Sequence, residues 1–412
     1  RAMTAIMIDT PTRLLSAGAA TLDEHRRRHG DIPWRGGRDL LTATIEASGL
    51  TGRGGAGFPT FRKVASAAAA SGRSAVVVAN GAEGEPASSK DAALLTTAPH
   101  LVLDGAQLAA EAVGAHRIVL YVKAGAAMGA VRTALAERRS AGGDRCPMEV
   151  VEAPKGFISG EESAAVSAIE GGPALPRTKR HLITERGVDG RPTLVQNVET
   201  LAHLALIARH GVAWFRSAGT DAEPGTFLAT VGGAVARPGV VEAGYGIGLA
   251  DLIGLAGGPA QPLGAVLVGG YHGVWVPAPA VAATAMSRAG LAPFGGSPGA
   301  GIVWALPARQ CPLAATASIV TYLAGEGARQ CGPCLFGLPA LADVLNRLAD
   351  PGEARGWERL PGQLAGIAGV VTGRGACRHP DGTARLARSA LTVFADDVAA
   401  HLRGRCLTGG PR

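Results

Sequence analysis

The run Gly52-Arg53-Gly54-Gly55-Ala56-Gly57-Phe58-Pro59-Thr60 constrains this chain more than any other stretch. Four glycines in nine residues remove the side chains that would hold a backbone away from a ligand, and they open positive φ angles. The run therefore suits a loop whose N–H groups face an anion, such as a phosphate or a flavin. Glycine also punctuates ordinary turns, and with 60 glycines in 412 residues the run alone does not separate the two uses. Its surroundings say more. A helical pattern over residues 40–49 leads into it, and beyond it strands predicted at 75–79, 118–122 and 148–151 alternate with helices at 101–113 and 126–138. That alternation implies a parallel sheet covered on both faces, with ligands at the carboxyl ends of its strands.

Three polar segments stand out, the first two of them after predicted strands. Asn80-Gly81-Ala82-Glu83-Gly84-Glu85-Pro86 is a turn-rich loop with two carboxylates. Lys155-Gly156-Phe157-Ile158-Ser159-Gly160-Glu161-Glu162-Ser163 places an acidic pair at a helix start, and Gln196-Asn197-Val198-Glu199-Thr200 opens an apolar helix through Leu206. Each has a plain reading as a solvated loop, a dipole complement or a cap. From about residue 225, short strands at 226–231, 239–242, 265–268 and 273–276 surround one helix at 249–256, a β-grasp-like pattern. No Asp, Glu, Lys or Arg occurs between Leu252 and Ser287, but Pro259, Pro262, Pro277 and Pro279 preclude one continuous membrane helix. Beyond Gly301 the chain reads as helical: Pro312 sits in a first turn, and Ala387, Leu391, Phe394, Val398 and Leu402 follow the spacing of one last helix. Residues 1–39 read as a leader with a short helix at 22–29 and no secretory signal, which implies a cytoplasmic protein.

The net charge of +7 comes mostly from dispersed arginine, and aromatics are only 4% of residues. That balance suits anionic ligands or an acidic protein partner, and argues against nucleic acid. Six cysteines in a chain of this kind point to metal or redox chemistry, or to inert buried thiols. Cys331-Gly332-Pro333-Cys334 aims two sulfurs from one turn, with Cys377 some forty residues later. This pattern fits a metal or iron–sulfur centre, and a redox dithiol remains open. Cys146 reads as a small buried hydrophobe.

In their order, GRGGAGFPT, NGAEGEP, GFISGEES, QNVET, the small β module, QCGPC and a last cysteine resemble the flavin-bearing, NADH-oxidising subunit family of respiratory complex I and of NAD-reducing hydrogenases and formate dehydrogenases. The resemblance covers about residues 40–400. It implies an α/β multidomain chain: a leader (1–39), a Rossmann-like FMN/NADH domain (40–220), a β-grasp domain of the SLBB type (225–298) and a helical bundle carrying an iron–sulfur site (301–412). It also implies roles in holding FMN for Gly52, Arg53, Gly54, Gly55, Ala56, Lys63, Asn80, Gly160, Asn197 and Thr200. Glu83, Glu85, Glu161 and Glu162 match acidic positions beside flavin and nicotinamide, Phe58 a stacking aromatic and Lys179 a nearby basic position.

Cys331, Cys334 and Cys377 match ligands of a [4Fe-4S] cluster. The family's further cysteine is Ala328 here, which leaves Cys311, Cys406 or His379 for the fourth place. Other departures are Ala82 for an Asp, Phe157 for a Tyr, and Ser66 and Leu182 for aromatics. The implied function is NADH dehydrogenase activity: NADH oxidation through FMN, with electrons passing to an iron–sulfur cluster. A ferredoxin-like, thioredoxin-like [2Fe-2S] or quinone-reductase partner would follow, in the cytoplasm or at the periphery of a membrane complex. No side chain need serve as a nucleophile or acid. The alternative is a scaffold subunit that keeps the fold and has lost flavin or cluster.

Overall fold

The structure, a computed structural model, describes residues 12–16, 18–70, 74–178, 180–351 and 357–408. It divides into two compact units, the first comprising 1–229 with 240–246 and the second 230–239 with 247–412.

The first unit holds α1 (Leu22–His29), α2 (Arg38–Ser48), α3 (Thr60–Ala69), β1 (Ala75–Gly81), α4 (Lys90–Thr97), α5 (Pro99–Val113), β2 (Ala115–Lys123), α6 (Ala126–Ala141), β3 (Met148–Ala153), α7 (Glu162–Ile169), β4 (Thr193–Asn197) and α8 (Val198–Arg216). Its sheet is wholly parallel in the order β3-β2-β1-β4. Alternation along β1 shows why both faces are covered. Ala75, Val77 and Ala79 join a core with Leu101 and Val102 of α5 and Leu201 of α8, while Val76 and Val78 pack with Ala165 and Val166 of α7. A Cβ on Gly105 would lie 1.9 Å from the Leu201 carbonyl oxygen, so α5 and α8 are in backbone contact at a position only glycine allows. The chain leaves β1 on one side toward β2 and β3 and returns on the other as β4. The topological switch point therefore lies between β1 and β4.

Strands β5 (Thr226–Gly233) and β6 (Gly239–Gly244) carry the chain between the units. In the second unit follow α9 (Leu249–Leu255), β7 (Leu263–Val268), β8 (Val274–Pro277), α10 (Arg288–Leu291), β9 (Ile302–Pro307), α11 (Pro312–Gly325), α12 (Leu338–Ala349), α13 (Leu360–Val371), α14 (His379–Val393) and α15 (Ala395–His401). Residues 230–233 pair in parallel with β9, which runs antiparallel to β7, as β7 does to β8. Trp275 of β8 is fully buried against the helices. Its backbone N–H donates to Ser389 Oγ at 2.8 Å and its indole N–H to Thr316 Oγ1 at 3.0 Å. No described helix is long and apolar enough to cross a membrane.

Two expectations need correction. Strand β9 stands where the sequence reads as already helical, because a six-residue strand paired to segments far upstream carries little local signal. The last helix is two, broken at Phe394 (φ −108, ψ 36). Phe394 N–H still bonds Ala390 O and Val398 N–H bonds Phe394 O, so the apolar spacing continues across the break.

Candidate functional site

Three loops meet at the carboxyl ends of β1 and β4. The glycine run is closed at its neck by a bridge between Thr51 and Pro59 and by the Gly52 N–H to Phe58 O bond of 2.8 Å, so residues 52–58 form a closed loop leading into α3. Gly55 (φ 108) and Gly57 (φ 58) take conformations that other residues avoid. A Cβ on Gly54 would already touch that of Asn197 at 3.4 Å, which puts the loop over the end of β4. Arg53 points the other way. Its N–H donates to Thr200 Oγ1 (2.9 Å), its guanidinium donates to Thr51 Oγ1 and Thr226 O, and it lies 4.6 Å over the Tyr245 ring. It anchors the loop from beneath and offers no side-chain charge to a ligand.

The second and third loops interlock through glycine. A Cβ on Gly84 would fall 2.0 Å from Phe157 O, and one on Gly160 would fall 2.4 Å from Ala82 O. Asn80 spans them, its Nδ2 donating to Gly160 O (2.9 Å) and its Oδ1 accepting from Ala82 N–H (3.1 Å). Asn80 and Asn197 are register partners on β1 and β4, so two amide side chains flank the switch point. Asn197 also caps α8, accepting from Glu199 N–H at 3.0 Å.

The acidic residues divide. Glu161 caps α7, accepting from Ser163 and Ala164 N–H. Glu83 faces α4, accepting from Ser88 and from Asp91 N–H, and burial together with the Asp91 charge pushes its carboxyl up to about 7. Glu162 pairs with Lys63 at 3.1 Å, with both side chains partly exposed. Glu85 is half-buried, and Phe58 is 45% exposed. Lys179 lies outside the described residues. Of the two positions without the expected aromatic, Ser66 bonds Thr184 Oγ1 (2.6 Å) and Leu182 is 61% exposed.

Beneath the asparagines lies a network that the sequence pattern does not announce. Lys90, only 3% exposed, pairs with Asp91 (2.6 Å) and Glu199 (2.9 Å) and donates to Asn197 Oδ1 (3.3 Å), while Asn197 Nδ2 donates to Asp91 Oδ2 (2.7 Å). Burial alone would lower the Lys90 ammonium, but the charges of Asp91 and Glu199 outweigh it and the net shift is upward. Its one sequence signal is a Lys-Asp pair opening an otherwise apolar helix just after the acidic loop.

In the second unit, Cys331 and Cys377 both lie near enough to Cys334 to act on its thiol. Burial, followed by the neighbouring Cys331 and Cys377, pushes the Cys334 thiol up to about 11. Cys334 lies in a π-helical turn over Pro333–Gly337, and Gly327 packs against its sulfur, where a Cβ would sit 3.4 Å away. The expected fourth ligands are elsewhere. Cys311 caps the far end of α11, a 14-residue helix about 21 Å long, and Cys406 lies beside Cys311. His379 is engaged at both nitrogens, by Leu323 O (2.8 Å) and His272 Nε2 (3.1 Å).

Residues 45–206 match the family described as the Nuo51 FMN-binding domain, and residues 314–401 match the iron–sulfur binding region of NADH-ubiquinone oxidoreductase-F. The second F-type polypeptide of NADH-quinone oxidoreductase in Rhizobium meliloti is 32% identical over 383 residues, covering 89% of this chain and 90% of its own. The chain belongs to the NADH-quinone oxidoreductase-F family. The F-type polypeptide of the same enzyme in Mycobacterium bovis is 30% identical over 398 residues, covering 91% of this chain and 87% of its own. Among solved structures, the air-oxidised NAD+-reducing [NiFe]-hydrogenase superposes with a TM-score of 0.80 at 31% identity. It matches 89% of this chain, which spans 63% of that hydrogenase chain. The family makes the chain an NADH-oxidising flavoprotein of electron transfer, with FMN, NAD(H) and a 4Fe-4S centre as its redox components. The scaffold alternative is not favoured.

Proposed function

We propose that the crevice between β1 and β4 is the FMN and NADH site, and that the glycine run, Asn80, Gly160, Asn197 and Thr200 form its cradle. The carrying observation is the convergence of three glycine loops on the Asn80–Asn197 register pair at the switch point. The residues suit a flavin phosphate: glycines that admit close backbone approach, the N-termini of α3 and α8, and a partly exposed Lys63 whose present partner is a carboxylate. FMN supplies the chemistry when bound, taking hydride from NADH and releasing electrons singly.

The protein orients. Arg53 and Thr200 fix the glycine loop, and Glu83 and Glu161 hold the starts of α4 and α7. Glu85 and Glu162, the latter paired with Lys63, would accept from nucleotide hydroxyls, and Phe58 offers its exposed ring to the nicotinamide nucleotide. Residues 40–220 would thus be the flavin domain, 225–298 a β-grasp module of the SLBB type around α9, and 301–412 the iron–sulfur domain. There Cys331, Cys334 and Cys377 would supply three thiolates, and the fourth place would go to a ligand other than Cys311 or Cys406. The acceptor is a ferredoxin-like, thioredoxin-like [2Fe-2S] or quinone-reductase partner, in the cytoplasm or at the edge of a membrane complex.

The test is anaerobic. NADH should bleach the flavin absorbance of the wild type, and Asn80→Ala with Asn197→Ala should lose FMN. Cys334→Ser should keep flavin reduction and lose iron. FMN affinity unchanged in the double asparagine variant would sink the assignment of the crevice.

A further inference from the structure

Cys311, His401 and Cys406 offer ligand atoms that all lie within 4.8 Å of one another. Cys311 comes from the start of α11, His401 from the last turn of α15 and Cys406 from the segment after it. Cys311 Sγ and His401 Nε2 are 3.6 Å apart across 90 residues of sequence. Tetrahedral zinc with Zn–S and Zn–N bonds near 2.3 and 2.0 Å places a sulfur and a nitrogen ligand about 3.5 Å apart. His401 is fully buried, and its Nδ1 donates to Leu348 O at 2.9 Å. That bond fixes the tautomer, so the Nε2 lone pair faces the sulfurs, as the outer hydrogen bond of a metal-bound histidine does. Cys311 and Cys406 both lie outside residues 314–401, the span of the iron–sulfur match.

We propose that Cys311, His401 and Cys406 bind a zinc ion that clasps the segment after α15 to the start of α11. Mixed sulfur and nitrogen donors suit zinc. Binding replaces two thiol protons, released to solvent, by one Zn2+, so two thiolates, a neutral imidazole and the ion carry no net charge. The half-buried sulfurs leave the fourth position to water, with the Thr408 hydroxyl 3.1 Å from Cys406 Sγ placed to donate to the thiolate. No electron changes hands.

The test is metal analysis of the full chain purified anaerobically from zinc-supplemented medium. About one zinc per chain is expected, lost in Cys311→Ser and in Cys406→Ser while FMN and iron are kept. Cobalt(II) loaded in place of zinc should give tetrahedral visible bands and a thiolate charge-transfer band in the wild type, and neither band in the two variants. The cobalt spectrum of the wild type stands alone should a variant fail to fold. A wild type without zinc whose Cys311 and Cys406 form a disulfide overturns the proposal. So does one whose two thiols alkylate freely in excess zinc, or zinc that persists in the double variant.

Discussion

The proposed flavin crevice and the thiol groups of the second unit are built by opposite means. In the crevice the decisive positions are where side chains are missing: Gly84 and Gly160 let two loops share backbone contact, and Gly54 lies on Asn197. In the thiol groups the decisive positions are where side chains converge, from turns and helix ends far apart in the chain. A site made of missing side chains tolerates no added atom. A site made of converging side chains tolerates most changes that leave the ligands in place.

The largest expected effect breaks the floor of the crevice. Lys90→Met leaves Asp91 buried without its cation and Glu199 with only the longer Arg53 contact of 4.0 Å, which should cost about 3–5 kcal/mol. Adding Glu199→Gln should recover part of that loss, because the two changes share one network. Chemical denaturation of the wild type, both single variants and the double variant measures the coupling. Strict additivity would show that the pair is not a unit.

Gly84→Ala should cost roughly 1–3 kcal/mol and weaken FMN by tenfold or more, since the new methyl would lie 2.0 Å from Phe157 O. Gly129→Ala in α6, where a Cβ meets nothing within 4 Å, should be neutral or stabilising by about 0.5–1 kcal/mol. Equal effects from the two substitutions would remove the distinction between the crevice and an ordinary helix surface.

That distinction also decides what is legible in the sequence. The glycine run, both acidic loops and the CxxC turn are contiguous, because a backbone cradle and a two-sulfur turn each need neighbouring residues. Helix α1 and the first three strands of the sheet follow from local patterning for the same reason. Lys90 is not legible, since its partner Asn197 is 107 residues away and a Lys-Asp pair looks like a solvated helix start. Cys311 and Cys406 are visible as cysteines but point to the wrong site. Only the length of α11 separates them from Cys331, and the sequence does not say which ends of a bundle meet.

Glu83 gives the crevice a pH signature. Its carboxyl, raised by burial and by Asp91 to about 7 from an ordinary 4.5, binds its proton more tightly in the fold. Stability from this group is therefore complete below about pH 4.5 and is lost as pH rises through about 7. Relative to Glu83→Gln, the wild type should lose on the order of 3 kcal/mol across that window. Parallel stability curves for the two proteins from pH 4.5 to 8 would contradict it.

The smallest effect concerns the rim of the crevice, where side chains rather than their absence matter again. Phe58→Ala removes a ring that is 45% exposed at the glycine loop and makes no contribution to closing the loop's neck, which the backbone bond from Gly52 performs. The fold and the FMN content should therefore stay, while loss of stacking worth about 0.5–1.5 kcal/mol raises KM for NADH roughly two- to tenfold. Leu182, 61% exposed and apolar, supplies the converse experiment. Leu182→Tyr adds an aromatic face without disturbing a packed core, and should lower KM by a similar factor if the nucleotide passes that surface. A lowered KM in Leu182→Tyr together with no change in Phe58→Ala would move the nucleotide away from the glycine loop, and would confine that loop to the flavin.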